Sequence, residues 1–153
     1  MSLYAQNTAV PVERSKGEIE RTLRRYGASE FIFGSKDVMA VLGFKMRDRF
    51  VRFDIPLPLF VDFLKSPHGR RRSNGAAVPV YERAVRQKWR ALALVIKAKL
   101  EAVESGVTIF EKEFLAHFVL PDGRTVGDHV LPHVADAYKT GKVPPLLPGP
   151  GAK

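Results

Sequence analysis

The longest hydrophobic pattern in the chain runs from Pro79 to Gly106 and has the period of an α-helix. Its apolar residues recur at intervals of 4, 4, 3, 4, 4 and 3 positions, which places them on one helical stripe. The stripe contains Tyr81, Val85, Trp89, Leu92, Ile96, Leu100 and Val103. Four cations fall on the opposite side, namely Arg83, Arg86, Arg90 and Lys97. The pattern therefore predicts a helix of about seven turns with an apolar side and a basic side.

Ahead of this helix the pattern predicts one shorter helix and three strands. The helix is expected from Ser15 to about Tyr26, with Ser15 as its N-cap and Glu18 completing a capping box. The expected strands are residues 28–34, 38–46 and 49–55. The second is almost wholly apolar, so we expect it to be central and covered on both faces. A tight reversal at Arg47 and Asp48 joins the second and third strands as a hairpin.

The segments around and after the long helix predict shorter elements. Residues 59–64 fit one helical turn or an edge strand, and 65–78 have the composition of a mobile basic loop. Two further helices are expected, one capped at Thr108 over 107–118 and one capped at Thr125 that ends at Gly141.

The predicted fold class is α+β. An N-terminal helix precedes an antiparallel meander of about three strands, and a long amphipathic helix and two shorter helices follow. Residues 1–12 are expected to form a flexible N-terminal arm, 13–141 a single domain, and 142–153 a Pro-rich extended tail.

Charge changes the picture because it is concentrated in one part of the chain. The protein has 153 residues and a formal net charge of +9. Residues 45–100 contain 14 Lys and Arg against 4 Asp and Glu, whereas the rest contains 11 basic and 12 acidic residues. A basic block of this kind favours polyanions, with nucleic acid first among them. The alternative is a solvated basic surface without a ligand.

Composition excludes several classes of function. The chain has no cysteine, so disulfides, thiolate catalysis and cysteine-type zinc sites are excluded. No apolar run approaches the roughly 18 residues that a membrane span needs, and the first residues lack the pattern of a signal peptide. The sequence contains no nucleophile elbow, Walker loop or dinucleotide fingerprint. We therefore expect a cytoplasmic, non-enzymatic protein with no cofactor, no membrane association and no small-molecule substrate.

The basic loop and the basic side of the long helix are the first candidate site. Arginine suits phosphate because its planar fork donates two parallel hydrogen bonds. The predicted phosphate contacts are Arg70, Arg71, Arg72, Arg83, Arg86, Arg90 and Lys97. The alternative is a solvent-exposed helix face with intrahelical pairs such as Lys97 and Glu101.

Aromatic residues in the predicted hairpin are the second candidate site. Five phenylalanines lie beside several cations within 23 residues, and they are Phe31, Phe33, Phe44, Phe50 and Phe53. Aromatic rings on a sheet can stack unpaired bases, which favours single strands. Most of these rings are expected in the core. Phe50 is the exception, because it shares a strand face with Arg52 and stands beside Arg49.

The histidines offer a weaker candidate. His129 and His133 are four residues apart, which is a spacing of metal ligands on a helix. The intervening sequence is not that of a zinc protease, and Pro132 disturbs the helical geometry. We therefore assign no metal site, and helix-cap or surface histidines are the preferred interpretation.

Several phrases of the chain resemble a family of small phage and prophage proteins. They are ERSKGEIERTLRRYGA, VRFDIPLP, RQKWRALALVIKAKLEAVESG and FVLPDGRTVGDHVLP, together with the VPPLLP tail. This resemblance covers nearly the whole chain and implies a bacterial or phage cytoplasmic protein near phage DNA metabolism. The order of elements is also similar, at the level of fold alone, to phage single-strand annealing and Rad52-like proteins. That similarity implies a homo-oligomer.

Two functional hypotheses follow from the sequence. The first is a sequence-tolerant single-stranded DNA-binding protein of phage DNA metabolism, with annealing as a further role. The second is an interaction or inhibitory module that binds an acidic host or phage protein through the basic face. Competition with nucleic acid and the salt dependence of binding distinguish the two.

Overall fold

The computed structural model describes residues 10–36 and 38–150, with only the backbone of Lys36 described. It has the predicted α+β architecture of four helices and one three-stranded sheet. The elements are α1 (Val12–Arg25), β1 (Glu30–Lys36), β2 (Met39–Met46), β3 (Arg49–Pro56), α2 (Asn74–Glu104), α3 (Phe110–Glu113) and α4 (Val126–Thr140), with short 3-10 turns at Phe60–Phe63 and Leu115–His117. Within the described ranges, no helix combines the length and apolar character needed to cross a bilayer.

The sheet is an antiparallel meander in the order β1-β2-β3, so the predicted central strand is confirmed. Arg47 and Asp48 join β2 to β3 as a two-residue loop, and both have positive φ, at 50° and 59°. A hairpin loop with two positive φ angles matches the right-handed twist of its strands. It sets a register in which Phe50 lies opposite Lys45 and Arg52 opposite Gly43.

The core lies between one face of the sheet and the helices α1 and α2. Every second residue of β2 and β3 points into it, as the alternation of strand side chains requires. The fully buried members are Ile19, Leu23, Leu42, Val51, Ile96, Leu100, Phe110 and Phe114. The prediction that β2 is covered on both faces is wrong. Val41, Gly43 and Lys45 are only half-buried, because no helical residue among those described borders this part of the outer face.

The start of α1 differs from the prediction. The helix begins at Val12, with Pro11 in the N-cap position, one turn earlier than the predicted cap at Ser15. Ser15 is completely buried within the helix, and its Oγ has no hydrogen-bond partner among the described residues. Val12 packs against the core, so burial extends the helix past the capping-box pattern. The predicted N-terminal arm lies outside the described residues for positions 1–9.

The long helix also begins earlier than predicted. Ser73 is its N-cap, and the Ser73 Oγ accepts a hydrogen bond from the Ala76 backbone N–H at 3.2 Å. The last five residues of the predicted loop are therefore helical, and Pro79 lies in the second turn. Ala77 is fully buried there, which favours the additional turn.

Phe110, Phe114 and Phe118, which follow α2, are buried, but they do not lie on one continuous helix. α3 is a single turn capped by Ile109, so the predicted cap at Thr108 is wrong. The chain leaves the helix at Phe114 and then pairs with the edge of β3, where the Val119 N–H donates to the Phe50 carbonyl at 2.8 Å. Pairing with the sheet replaces the helix that the spacing of four predicted.

α4 has the predicted capping box. The Asp128 backbone N–H donates to the Thr125 hydroxyl at 3.1 Å, and the Thr125 N–H donates to the Asp128 carboxylate at 3.0 Å. Gly141 ends the helix in the left-handed conformation, with φ of 74°. Gly127 and His129 are its only buried residues. Residues 142–150 contain no helix or strand.

Candidate nucleic-acid interface

The outer face of the sheet, which points away from α1 and α2, carries a shallow apolar trough. Ile32 and Phe50 stand in it with 66% and 54% of their surface exposed. The trough has a volume of about 350 Å³ and is bordered by Glu30, Phe31, Ile32, Val41, Gly43, Phe44, Lys45, Phe50, Val51, Arg52 and Val119. Single exposed apolar side chains are normal on protein surfaces, whereas Ile32 and Phe50 line one shared concave space.

Gly43 forms the floor of this trough. A Cβ atom at this position would lie 3.1 Å from the Ile32 Cγ2, so any larger residue would fill the space between β1 and β3. Gly43 lies opposite Ile32 on β1 and opposite Arg52 on β3. The missing side chain is therefore what makes the surface concave.

Positively charged residues lie near the exposed ring of Phe50. The Lys45 Nζ lies 5.3 Å from the ring centre, within the range of a cation–π contact. Arg49 precedes Phe50 in the chain, and its Nη1 donates to the Asp48 carbonyl at 3.3 Å. Arg47 and Arg49 are both exposed in the hairpin but do not border the trough, and the Arg47 guanidinium carbon lies 5.5 Å from the centre of the buried Phe110 ring. This arrangement presents an apolar ring beside positive charge, which suits an unpaired base and its phosphate.

Arg52, predicted as a binding residue, is held within the protein. Its Nη1 donates to the Gly123 carbonyl at 2.7 Å. Its Nε lies 3.1 Å from the Asp54 Oδ1, and its Nη2 lies 3.6 Å from the Asp128 Oδ2. The guanidinium therefore attaches the turn before α4 to β3, and its donors are already used.

Asp122 and Asp128, which lie in the turn before α4 and in its first turn, are stabilised in their charged form. Hydrogen bonds from the Thr125 backbone and side chain lower the pKa of Asp128, and the charge of Arg52 adds to that effect. The Arg124 backbone N–H is the main cause of the lowered pKa of Asp122, which also accepts from His129 at 2.6 Å. Both groups are therefore anionic parts of the scaffold.

The three consecutive arginines of the basic loop separate into different environments. Arg72 turns inward, and its Nη1 donates to the carbonyls of Phe63 and Lys65, both at 3.2 Å. Arg70 and Arg71 remain exposed on a hydrogen-bonded turn. Arg71 borders a cavity of about 540 Å³ beside the start of α2. Two of the three side chains are thus free to meet an anion.

The basic stripe of α2 also divides. Arg83 and Lys97 are exposed, whereas Arg86 is half-buried and its Nε has no partner among the described residues. Arg90 forms an ion pair with Glu18 of α1. The sequence predicted that the whole basic stripe faces solvent, but only part of it does so.

A groove between α1 and α2, called here the helix groove, contains cations that the sequence analysis did not assign. It has a volume of about 280 Å³ and is bordered by Glu18, Arg21, Thr22, Arg25, Tyr26, Arg90, Ala93, Leu94 and Lys97. Arg21 and Arg25 are four residues apart, so the sequence shows that they share a face of α1. That this face meets Arg90 and Lys97 depends on how the helices pack.

The ten predicted residues therefore do not form one surface. Phe50 lies on the outer face of the sheet, whereas the α2 cations lie on the solvent side of the helix layer. The core separates the two, together with helices whose diameter is about 10 Å. Phe44 and Phe53 are buried, so the alternative interpretation of those rings as core is correct.

The histidines have structural contacts. His129 is largely buried against Asp122, and His117 stacks on Phe53 with ring centres 3.8 Å apart. Burial is the main cause of the lowered pKa of His117, and the charge of Lys99 adds to it. Among residues 10–36 and 38–150, no group of three or more His, Asp or Glu side chains is placed to hold a metal ion.

Comparisons of the chain with protein-family models, with curated proteins and with solved structures find no match.

Proposed function

We propose that this protein binds single-stranded nucleic acid with little sequence preference, and that unpaired bases lie against Phe50 in the sheet trough. The observation that supports this most is the exposed Phe50 ring beside an open apolar trough, with Lys45 5.3 Å from its centre. A paired base offers no free face to such a ring, so single strands are favoured.

The surrounding charges support the same proposal. Arg47 and Arg49 are exposed in the hairpin that joins β2 to β3, where they would meet the phosphates of a strand that extends past the end of the sheet. Phosphate contacts give affinity without sequence preference, while stacking accepts any base. The resemblance to phage proteins supports DNA as the strand, with a role in phage DNA metabolism.

The substitution Phe50→Ala tests the base contact directly. Stacking contributes roughly 1–3 kcal/mol per base, so the variant should bind oligothymidine about fivefold to a hundredfold more weakly. Fluorescence anisotropy at low salt measures this change. Tyr138→Ala is the matched control, because Tyr138 is also an exposed aromatic residue, at 90%, but lies on α4.

Equal affinities of the two variants would contradict the proposed base contact. Tight binding that is lost with a duplex competitor but kept with a single-stranded one would assign the surface to double helices instead. Binding that no nucleic acid competes away would favour the second hypothesis, an acidic protein partner.

A further inference from the structure

We infer that the helix groove is a second site for nucleic acid, which binds the phosphates of another strand segment, so that one molecule holds two segments on opposite sides. This inference deepens the proposed function and rests on it for the first strand. The groove itself is a phosphate site whether or not the sheet trough binds bases.

The groove is built by the parallel packing of α1 and α2. The ion pair between Glu18 and Arg90 lies at one end of the groove, with side chains only 34% and 25% exposed. Arg25 lies seven residues after Glu18 on α1, and Lys97 lies seven residues after Arg90 on α2. Both border the same groove. The Glu18–Arg90 pair therefore holds the two helices in register and fixes the positions of the cations around it.

The charge balance of the groove is strongly positive. Four cations border it, and Glu18 is the single carboxylate among its bordering residues. Arg21, Arg25 and Lys97 are exposed and form no ion pair within the described residues. A groove bordered by charge of one sign concentrates counterions of the other sign. The uncompensated charge thus favours an anion in this position.

The shape and donors of the groove suit phosphodiester groups. Arg90 and Lys97 are seven residues apart, which is about 10 Å along the helix, so the groove is long enough to contact more than one phosphate group. Thr22 and Tyr26 add hydroxyl groups to the lining. The Arg25 guanidinium carbon lies 5.9 Å from the centre of the Tyr26 ring, which supports the guanidinium at the groove.

The position of the groove makes it independent of the sheet trough. No residue of the sheet borders it, and no residue of α1 or α2 borders the trough. A strand bound in one therefore leaves the other accessible. Holding two single strands on one molecule raises the concentration of each near the other.

Inorganic polyphosphate is the probe that separates the two sites, because it has phosphates and no bases. The wild-type protein and Phe50→Ala should bind it equally. Arg21→Gln/Arg25→Gln should bind it on the order of tenfold more weakly, and the slope of log affinity against log salt should fall by about 1.4 for two lost contacts. Lys139→Gln/Lys142→Gln is the control, since it removes the same charge from an exposed region at the end of α4.

Bridging is then measured by energy transfer between donor-labelled and acceptor-labelled oligothymidine strands. The wild type and the lysine control should give transfer, and the double arginine variant should bind one strand but lose transfer. Equal polyphosphate affinity for the arginine variant and the lysine control would overturn the groove site. If Phe50→Ala loses strand binding but keeps polyphosphate binding, the result concerns the trough alone. Failure of the trough and failure of the groove are therefore distinguishable.

Discussion

At the scale of single residues, burial and partners decide which cations can act. Arg49 and Arg52 are three positions apart on one strand, and both are predicted from the sequence to bind nucleic acid. Arg49 is exposed, with a single hydrogen bond to a neighbouring carbonyl. Arg52 is anchored to Gly123, Asp54 and Asp128. Arg52 is therefore a structural residue, whereas Arg49 is free to contact a strand.

The substitution Arg52→Gln should destabilise the protein without changing the affinity of the folded form for oligothymidine. Hydrogen bonds to a charged group contribute about 1.5–3 kcal/mol, so the free energy of unfolding in urea should fall by that order. Arg49→Gln is the matched control and should give the reverse result, with weaker binding and unchanged stability. A loss of affinity in Arg52→Gln at full folding would show that its guanidinium contacts the ligand.

At the scale of elements, hydrophobic spacing predicted the existence of each helix better than its ends. The capping-box patterns at Ser15 and Thr108 are not used, whereas the one at Thr125 is complete. A cap contributes about 1 kcal/mol, which burial of apolar residues such as Val12 readily exceeds. Caps at helix ends that touch the core are therefore the least predictable from local sequence.

The contact between α4 and the 3-10 turn before it depends on Gly127. A Cβ atom there would lie 2.9 Å from the Ala116 carbonyl oxygen, which belongs to the backbone and cannot yield easily. Gly127→Ala should therefore reduce stability by about 1–3 kcal/mol. Gly75→Ala, at a helical glycine with open space around it, should leave stability equal or raise it by up to about 1 kcal/mol. Thermal unfolding measures both, and equal effects would contradict the close contact.

At the scale of the whole molecule, the basic block is divided between two sides of a layered fold. Lys45 lies on the outer face of the sheet, whereas Arg90 and Lys97 of α2 lie beside α1. The cations of α1 come from outside the basic block, yet they complete the helix groove. Charge counted along the chain therefore does not show which surface carries the cations.

The stability of the whole molecule should depend on pH through His117. Its lowered pKa means that the folded protein binds this proton less readily than the unfolded chain, whose imidazole pKa is about 6.5. The contribution of His117 to the free energy of unfolding should therefore have its maximum value above pH 6.5 and should fall as the pH decreases through that value. Asp122 and Asp128, whose pKa values are also lowered, contribute a separate loss that begins only below about pH 4.

Urea unfolding at several pH values tests this dependence. His117→Gln should remove most of the decrease between pH 7 and 5, because it keeps a polar side chain without a titrating ring. His68→Gln, at an exposed position of the loop, serves as the control and should follow the wild type. An unchanged pH profile in His117→Gln would assign the loss to other groups.

The sequence by itself determined the class of fold and the order of its elements. The period of the long helix, the alternation in the hairpin and the turn at Arg47 and Asp48 are local patterns, and local backbone geometry is enough to interpret them. The same alternation singled out Phe50 as the ring on the open face. These features do not depend on which element packs against which.

Only the tertiary structure decided which charged side chains share a surface. The distance from Arg21 to Arg90 along the chain gives no information about their position, since it depends on how α1 packs beside α2. The same holds for Arg52, whose partners Gly123 and Asp128 lie more than 70 residues away in the sequence. Contacts between distant segments arise from the burial of apolar faces, and that burial brings their polar neighbours together without a local signal.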